Sequence, residues 1–373
     1  MDPPDVVIPR ELRPADGRFG SGPSKVRPEA VAALVEAAGC YLGTSHRQAR
    51  VRAVVGRLKE GLRQLFALPD GYEVVLGNGG TTVLWDALAL GVIQRRSQHL
   101  VFGEFSARFA EAAGLAPHLD EPEVLACDPG AHPRPRSSDR VDVYALTHNE
   151  TSTGVAMPIA RVGSDGLVVV DATSAAGGLS VAAPDFDVYY FAPQKCFASD
   201  GGLWVALCSP AAIERVERIA KSDRYIPPSL DISLALRSSR RDQTYNTPAL
   251  ATLFLFVEQL EWILVNGGLK WSAARCARSA DILYSWAETH TKARPFVVNP
   301  AQRSNVVATV DFTEDVDAAR VAAALRANGI MDTEPYRKLG RNQLRVAMFP
   351  AIEPSDVAQL TRSIDYVVDA LAA

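Results

Sequence analysis

The sequence predicts an α/β fold in two parts, a large domain with a mostly parallel seven-stranded sheet and a smaller carboxyl-terminal α+β domain. From Glu73 onward, short apolar segments rich in Val, Tyr and Phe alternate with helical patterns, which is typical of a sheet covered by helices. The chain has 373 residues, 47% of them hydrophobic, which is enough to bury a large core and to form two domains.

The segment before this alternation is predicted to be mostly extended. Residues 1–28 contain six prolines and several glycines, so they are expected to form an arm with turns such as Gly20–Pro23. The apolar pattern over residues 31–38 predicts a short helix that ends at Gly39. A longer amphipathic helix is predicted to follow over residues 51–65.

The large sheet is predicted from seven apolar segments, which are residues 73–76, 99–102, 123–126, 141–146, 167–170, 187–191 and 203–207. A helix over residues 81–93 is expected after the first strand. A short hairpin-like connection joins the last two strands, so one strand is expected to be antiparallel to its neighbours.

The rest of the chain is predicted to complete the large domain and to form the small one. Further elements are expected as helices over 211–221, 250–264 and 317–328 and from Pro354, strands near 305–311 and 344–347, and a polar loop over 238–248. We assign residues 18–258 to the large domain, and residues 1–17 and 259–373 to the small domain. The long apolar helix is expected to cross that boundary.

Charge and cysteine content exclude several classes of protein. The chain has 39 basic and 43 acidic residues and a net charge of −4, which argues against nucleic acid or an anionic membrane as a partner. Its five cysteines include no CxxC pair, so we predict no metal site and expect free thiols. The first residues lack a signal-peptide pattern and no apolar run reaches ~18 residues, so a cytoplasmic protein is expected.

One lysine lies in a connection that is otherwise apolar and aromatic. Lys195 follows the predicted strand over 187–191 and precedes the strand over 203–207. Apolar surroundings disfavour an ammonium ion, so the pKa of such a lysine falls below its ordinary value of ~10.4 and a nucleophilic amine becomes available. Schiff-base chemistry requires such an amine. Taken alone, a lysine in a loop is more often an ordinary surface lysine, so other residues must decide.

A glycine-rich turn ends the first predicted strand and opens a helix. In Gly77–Thr82, glycines permit close backbone approach, the helix start offers unpaired N–H groups, and two threonines add hydroxyl groups, so a phosphate would fit. The turn lacks the lysine of an ATP-binding loop and the GxGxxG spacing, so neither ATP nor NAD is indicated. An ordinary tight turn is the alternative.

Polar residues close two other predicted strands. Asp171 follows the strand over 167–170, and Asn149–Thr151 follow the strand before it. Ligands of open α/β sheets bind at the carboxyl ends of strands, so Asp171 is a candidate site residue, with a helix cap as the alternative. Phe105, in the turn after another strand, offers an aromatic face that can stack on a flat ring.

Together these residues resemble the fold-type I enzymes that depend on pyridoxal 5′-phosphate, and within them the class V aminotransferases and the phosphoserine aminotransferase family. The resemblance covers nearly the whole chain. It depends on the order and spacing of short motifs, which are Phe19–Pro23, His46-Arg47, Asn149–Thr151, Val170-Asp171, Gln194-Lys195, Asn246–Pro248 and Leu344–Ala347.

The resemblance implies roles in cofactor binding. Lys195 matches the Schiff-base lysine, and Asp171 matches the acid that pairs with the pyridine nitrogen. Gly80 and Thr81 match the phosphate loop. Phe105 stands where the family usually has a Trp stacked on the cofactor ring.

Four further residues are implied to complete the cofactor site. Thr151 and Gln194 would bond the phenolic oxygen or the phosphate. Asn246 and Thr247 would reach the cofactor phosphate from the neighbouring subunit, so the resemblance implies a homodimer with shared active sites.

The resemblance also implies a cationic substrate site. Arg345 matches the residue that binds the α-carboxylate, for which a guanidinium is suited. His46 and Arg47, from the other subunit, would clamp the substrate phosphate or side-chain carboxylate. Lys338 stands where some relatives have a His, and Arg337 or Arg341 could assist unless they are plain surface cations.

The implied activity is reversible ping-pong transamination of 3-phosphohydroxypyruvate with glutamate, which yields O-phosphoserine and 2-oxoglutarate in serine biosynthesis. The vitamin B6 intermediate 3-hydroxy-2-oxo-4-phosphooxybutanoate is a further candidate substrate. Alternatives within class V are an alanine-glyoxylate aminotransferase or a cysteine desulfurase, although Cys276 lies in a helical pattern and a desulfurase needs a mobile cysteine. A non-catalytic cofactor-binding regulator is a third alternative, which Lys195, Asp171 and Arg345 disfavour.

Overall fold

The computed structural model of the protein describes residues 6–163 and 165–372, so the first five residues of the predicted arm lie outside the described residues. The helices in this part of the chain are α1 (Pro28–Tyr41), α2 (Ala49–Leu65), α3 (Thr81–Gly91), α4 (Glu104–Gly114), α5 (Pro210–Ile219), α6 (Ile232–Ser239), α7 (Leu250–Val265), α8 (Gly268–Thr289), α9 (Ala318–Ala327) and α10 (Pro354–Ala372). The strands are β1 (Glu73–Asn78), β2 (Ser97–Val101), β3 (Glu123–Ala126), β4 (Val143–Thr147), β5 (Asn149–Glu150), β6 (Val155–Ala156), β7 (Leu167–Asp171), β8 (Val188–Phe191), β9 (Leu203–Cys208), β10 (Ala293–Pro295), β11 (Val307–Phe312) and β12 (Gln343–Ala347).

A seven-stranded sheet has the order β1-β9-β8-β7-β4-β2-β3. Its strands from β8 to β3 pair in parallel, whereas β9 pairs antiparallel with both β1 and β8. The predicted antiparallel strand is therefore β9, and the predicted fold class is confirmed.

The central strands are buried on both faces because helices cover both sides of the sheet. Every residue of β4, β7, β8 and β9 is buried. Successive residues of β7 alternate between two cores, since Val168 and Val170 belong to one hydrophobic cluster and Val169 to the other. This double burial explains why these strands are continuous apolar runs.

A second, antiparallel sheet has the order β10-β11-β12 and carries Arg345 on β12. Helix α7 runs without a break through residue 258, as expected for a helix that crosses the predicted domain boundary. The boundary itself stays a prediction.

Two local predictions differ from the structure. Helix α1 continues through Gly39 to Tyr41, since a glycine in a helix costs only about 1 kcal/mol and its neighbours are good helix formers. The polar loop predicted from residue 238 begins later, because α6 extends to Ser239. The two-residue strands β5 and β6 were not predicted.

The amino-terminal segment runs beside β12 before it reaches Lys195. The Phe19 N–H donates to the Met331 carbonyl at 3.2 Å, and the Ala347 N–H donates to the Phe19 carbonyl at 3.0 Å. The Met331 N–H in turn donates to the Gly17 carbonyl at 2.7 Å. These bonds hold the segment against the strand that carries Arg345.

No single helix in the described part of the chain is long and apolar enough to cross a membrane. Helices α7 and α8, which meet at a bend of 91°, pass that test together on length and composition only.

Candidate active site

Lys195 lies at the carboxyl edge of the large sheet, in the connection from β8 to β9. Because β7 is parallel to β8, Asp171 at the end of β7 reaches the same edge. Lys195 is half-buried because it faces a cavity. Burial, and secondly the positive charge of Arg345, lower the pKa of Lys195 from 10.5 to about 8. Its amine is therefore partly neutral near physiological pH.

The amino-terminal segment covers the lysine. Lys195 Nζ donates a hydrogen bond to the Ser21 carbonyl, and the Ser24 hydroxyl donates to the Lys195 carbonyl at 2.6 Å. Gly22 has a φ of +141° and lies so close that a Cβ there would overlap the lysine side chain. Only glycine fits this position without displacing Lys195.

Asp171 is buried and accepts four hydrogen bonds. Its Oδ1 accepts from the Thr173 N–H at 2.9 Å and the Thr173 hydroxyl at 2.6 Å. Its Oδ2 accepts from Trp85 Nε1 at 3.1 Å and from the Tyr190 hydroxyl at 3.2 Å. Burial raises the pKa of Asp171, and these donors oppose that rise. The arrangement is that of a buried carboxylate prepared for a cationic partner.

A cavity of about 300 Å³ opens between these residues. Six of the predicted site residues line it, namely Thr81, Phe105, Thr151, Asp171, Gln194 and Lys195. The other lining residues are Gly22, Pro23, Thr82, Trp85, Thr147, Asn149, Thr173 and Gly201.

The start of α3 forms one wall of the cavity. Gly80 is the N-cap of α3 and has no side chain to cap the first N–H groups, and Thr81 and Thr82 line the cavity. The Gly79 N–H bonds the Gly202 carbonyl at 3.0 Å, which fixes the turn beside the lysine connection. Unpaired N–H groups at the positive end of a helix suit a phosphate.

Phe105 is held in place by a buried carboxylate. Glu150 Oε2 accepts from the Phe105 N–H at 3.1 Å and from the Ser106 N–H at 2.9 Å, at the start of α4. The Phe105 ring faces the cavity on one side, and its centroid lies 5.9 Å from that of Tyr336. Glu150 therefore fixes the aromatic wall.

Polar side chains with spare hydrogen-bonding capacity line the cavity. The Thr151 hydroxyl and the Asn149 amide both donate to the Ser174 hydroxyl, at 2.7 and 2.8 Å. The amide oxygens of Asn149 and Gln194 have no partner among the described residues. Two unpaired buried amide groups indicate a polar ligand.

Arg345 lies on β12 and is bonded to the lining residue Thr151, although it does not itself line the cavity. Its Nη1 donates to the Thr151 carbonyl at 3.3 Å, and its guanidinium carbon lies 5.4 Å from the centroid of the Tyr336 ring. Its buried Nε has no partner among the described residues. The guanidinium can therefore donate hydrogen bonds to a carboxylate that binds beside Lys195.

Lys338 does not line this cavity. Its amine pairs with Glu104, the first residue of α4, and its side chain is 64% exposed. Arg341 pairs with Asp311 on β11 at 3.1 Å, and Arg337 is exposed. The predicted clamp role of Lys338 stays a prediction.

The residues predicted to serve the neighbouring subunit lie together, outside the lining of this cavity. The Thr247 hydroxyl lies 3.3 Å from His46 Nδ1, and Arg47 is exposed beside it. Asn78 holds the segment, because its amide donates to the Thr247 carbonyl at 2.9 Å and accepts from the Asn246 N–H at 3.3 Å. Their role in a partner's site stays a prediction.

Sequence reasoning missed Trp85, Tyr190 and Thr173. Trp85 lies four residues after Thr81 in α3, a spacing that places both side chains on one helix face. Tyr190 is the direct neighbour of Asp171 across the β7–β8 pair. The helical spacing of Thr81 and Trp85 is present in the sequence, whereas the pairing of Tyr190 with Asp171 requires the strand order.

The comparisons with known proteins agree with this geometry. The family model for aminotransferase class V matches residues 123–334. The chain belongs to the class-V aminotransferase family. It is 59% identical to a phosphoserine aminotransferase of Nocardioides over 98% of this chain and 99% of that one. It is 58% identical to a phosphoserine aminotransferase of Rhodococcus jostii over 98% of each chain.

Solved structures of this family share the fold. A phosphoserine aminotransferase from Cytophaga hutchinsonii has a TM-score of 0.86 at 25% identity, over 94% of this chain and 99% of that one. An aspartate aminotransferase from Thermus thermophilus has a TM-score of 0.82 at 25% identity, over 94% of this chain and 99% of that one. The predictions of family, fold, enzyme class and cofactor are confirmed: this aminotransferase depends on pyridoxal 5′-phosphate.

The cavity fits that cofactor by the chemistry of its donors. The start of α3 suits the phosphate, Asp171 suits a protonated ring nitrogen, and the unpaired amide oxygens of Asn149 and Gln194 can accept a hydrogen bond from a ring hydroxyl. Lys195 supplies the amine.

Proposed function

We propose that this aminotransferase transfers the amino group of glutamate to 3-phosphohydroxypyruvate, which gives O-phosphoserine and 2-oxoglutarate in serine biosynthesis. The observation that carries the proposal is the 59% identity to the Nocardioides phosphoserine aminotransferase over 98% of the chain. The cavity beside Lys195 independently supports an aminotransferase, because it joins an activated amine to a site for the cofactor phosphate and lies beside a guanidinium suited to a substrate carboxylate.

Cofactor binding is assigned to residues of the cavity. Bound pyridoxal phosphate supplies a carbonyl that condenses with amines and a ring that takes up the electron pair released at the substrate Cα. Asp171 would carry the negative charge opposite the ring nitrogen, and Gly80 and Thr81 would hold the phosphate. Phe105 would cover one face of the ring and exclude water from it.

Lys195 is the proposed base. Once its Nζ is free, it takes up the proton that leaves the substrate Cα, and it returns a proton in the reverse step. Its pKa of about 8 leaves a useful fraction of neutral amine near neutral pH, and the same value makes the protonated form a competent acid.

Substrate orientation is assigned to Arg345 and to the buried polar groups near it. The unpaired Nε of Arg345 and the remaining guanidinium N–H groups would bind the α-carboxylate. Thr151 and Gln194 would bond the phenolic oxygen or the phosphate of the cofactor, and Lys338 would have to leave Glu104 to act in the substrate clamp.

We also infer a homodimer in which each subunit completes the other's site. His46, Asn246 and Thr247 cluster on a part of the surface that does not line their own cavity, where Arg47 adds a positive charge. Helix α1 exposes Val31 (44%) and Val35 (70%), and an apolar helix face of this kind is typical of a subunit contact. Sedimentation velocity tests the dimer.

Two further properties complete the proposal. The vitamin B6 intermediate 3-hydroxy-2-oxo-4-phosphooxybutanoate combines the same 2-oxo acid with a phosphate, so the same residues would bind it. A cytoplasmic location is supported by five cysteines that are all free thiols. A cysteine desulfurase is not favoured, because the thiol of Cys276 is buried within α8.

The test is a steady-state assay of the holoenzyme with O-phosphoserine and 2-oxoglutarate, with glutamate as the measured product. Activity with the phosphorylated substrates should exceed activity with alanine and glyoxylate. Lys195→Ala should abolish turnover, and Lys221→Ala, at an exposed position, should not change it. Turnover by Lys195→Ala, or a preference for alanine and glyoxylate, would refute the proposal.

A further inference from the structure

Asp171 is linked to two buried side chains that the roles described so far do not use. Trp85 Nε1 lies 3.1 Å from Asp171 Oδ2 and 3.0 Å from the Tyr190 hydroxyl, and that hydroxyl lies 3.2 Å from the same Oδ2. Trp85 and Tyr190 are 3% and 0% exposed. The three polar groups thus form a closed triangle in the wall of the cavity, of which Trp85 and Asp171 are lining residues.

The two oxygens of Asp171 differ in the strength of their contacts. Oδ1 is fully engaged by Thr173, at 2.9 and 2.6 Å, whereas the contacts at Oδ2 are longer. A carboxylate oxygen has two lone pairs, so a ring N–H can be accepted only where one existing donor gives way. The weaker contacts at Oδ2 mark that place.

The triangle allows this exchange without leaving a polar group unpaired. Trp85 has a single hydrogen on Nε1, and it lies within reach of two acceptors. When that hydrogen goes to the Tyr190 oxygen, the Tyr190 hydroxyl still donates to Asp171 Oδ2. One lone pair of Oδ2 is then free, and the carboxylate keeps a donor that stabilises its charge.

We propose that Trp85 and Tyr190 are positioning residues that hold Asp171 as an oriented carboxylate and leave one lone pair of Oδ2 for the cofactor ring nitrogen. The inference deepens the proposed function, because it depends on the role assigned there to Asp171. It predicts that the Tyr190 hydroxyl contributes to binding through the ring nitrogen and through no other cofactor atom, and that the Trp85 N–H is the donor that gives way.

That prediction separates a positioning role from plain packing. Trp85 lines the cavity and Tyr190 does not, so the lone pair that the ring nitrogen can reach is the one that Trp85 occupies. Tyr190→Phe removes only the hydroxyl, so the hydrogen of Trp85 Nε1 keeps Asp171 Oδ2 as its one acceptor in the triangle and cannot give way to the ring N–H. The apoenzyme should then bind pyridoxal phosphate roughly 10- to 100-fold more weakly, which is the usual effect of one hydrogen bond to a charged group. Its affinity for 1-deazapyridoxal 5′-phosphate, in which C–H replaces the ring nitrogen, should not change. Trp85→Phe keeps a ring to pack near Phe109 and leaves the Tyr190 hydroxyl as a donor to Oδ2, so it should show no loss of affinity that is selective for pyridoxal phosphate.

The matched control is Tyr189→Phe. Tyr189 is 0% exposed and precedes Tyr190 on β8, but its hydroxyl lies 3.0 Å from His148 Nδ1. This variant should bind both compounds as the unsubstituted enzyme does. Fluorescence titration of the apoenzymes gives the affinities, and circular dichroism checks that each variant folds.

The outcomes distinguish a failure of this inference from a failure of the proposed cofactor site. Equal losses of affinity for both compounds in Tyr190→Phe, no loss for either compound in that variant, or a loss selective for pyridoxal phosphate in Trp85→Phe would overturn the inference alone. If the unsubstituted apoenzyme itself binds both compounds equally, the role of Asp171 is wrong, and the proposed cofactor site fails together with the inference. If Tyr190→Phe does not fold, Trp85→Phe decides, because a loss selective for pyridoxal phosphate in that variant would overturn the inference.

Discussion

An Arg345→Gln variant is expected to need a higher pH before Lys195 reacts with pyridoxal phosphate. The positive charge of Arg345 disfavours a second positive charge on the lysine amine, so its removal raises the pKa of Lys195. Reaction with an aldehyde requires the neutral amine, so the rate of cofactor incorporation should follow that pKa.

The size of the effect follows from the two causes that lower the lysine pKa. Burial is the larger cause and Arg345 the second, Asp171 and Glu150 oppose them in part, and the net result is a fall from 10.5 to about 8. Removal of the Arg345 charge should return part of this difference, on the order of one pH unit. At pH 7, about one amine in ten is neutral when the pKa is about 8, and about one in a hundred is neutral when the pKa is about 9. Incorporation at pH 7 should slow about tenfold.

The assay follows cofactor absorbance after mixing with apoenzyme between about pH 6 and 10. Arg341→Gln is the matched control, because it makes the same exchange nearby in the chain, at an arginine that pairs with Asp311 and is not among the charges that shift the pKa of Lys195. Its pH profile should match that of the unsubstituted enzyme. Superimposable profiles for Arg345→Gln and the unsubstituted enzyme would show that the guanidinium does not act on the lysine amine.

Three further variants test other walls of the cavity. Gly22→Ala should reduce cofactor loading, measured by visible absorbance, whereas Gly43→Ala, with a φ of +69° but open space around it, should load normally. Glu150→Gln should lower the free energy of unfolding in urea by about 1–3 kcal/mol, because an amide cannot accept all the N–H donors at the start of α4, and exposed Glu111→Gln should have little effect. Phe105→Ala should weaken pyridoxal phosphate binding by about 1 kcal/mol in a fluorescence titration, and unchanged affinity would remove its stacking role.

The sequence predicts those site residues that directly follow a predicted strand or open a predicted helix. Asp171 follows an apolar strand, Gly80 and Thr81 follow another and open a helix, and Lys195 lies between two more. In each case the side chain sits at a strand end, and the carboxyl ends of parallel strands share one edge of the sheet. Convergence of these residues is therefore predictable before the strand order is known.

The parts that were missed depend on contacts between distant segments. Lys338 pairs with Glu104 across 234 residues, so the sequence shows a free cation where the fold supplies a partner. Tyr190 becomes a neighbour of Asp171 only through the pairing of β7 with β8. The pair β5–β6 has two residues in each strand, which is too short for a periodic signal.

The position of the amino-terminal segment limits how far this enzyme can be truncated from its amino terminus. Phe19 is bonded to Ala347, two residues beyond Arg345 on β12, and three residues after Phe19 the same segment covers Lys195 at Gly22. A displacement of β12 must therefore shift the segment that covers the lysine, since only a few residues of continuous chain separate them. A deletion that reaches Phe19 would cut this mechanical tether and uncover Lys195, although it removes no residue assigned to the chemistry.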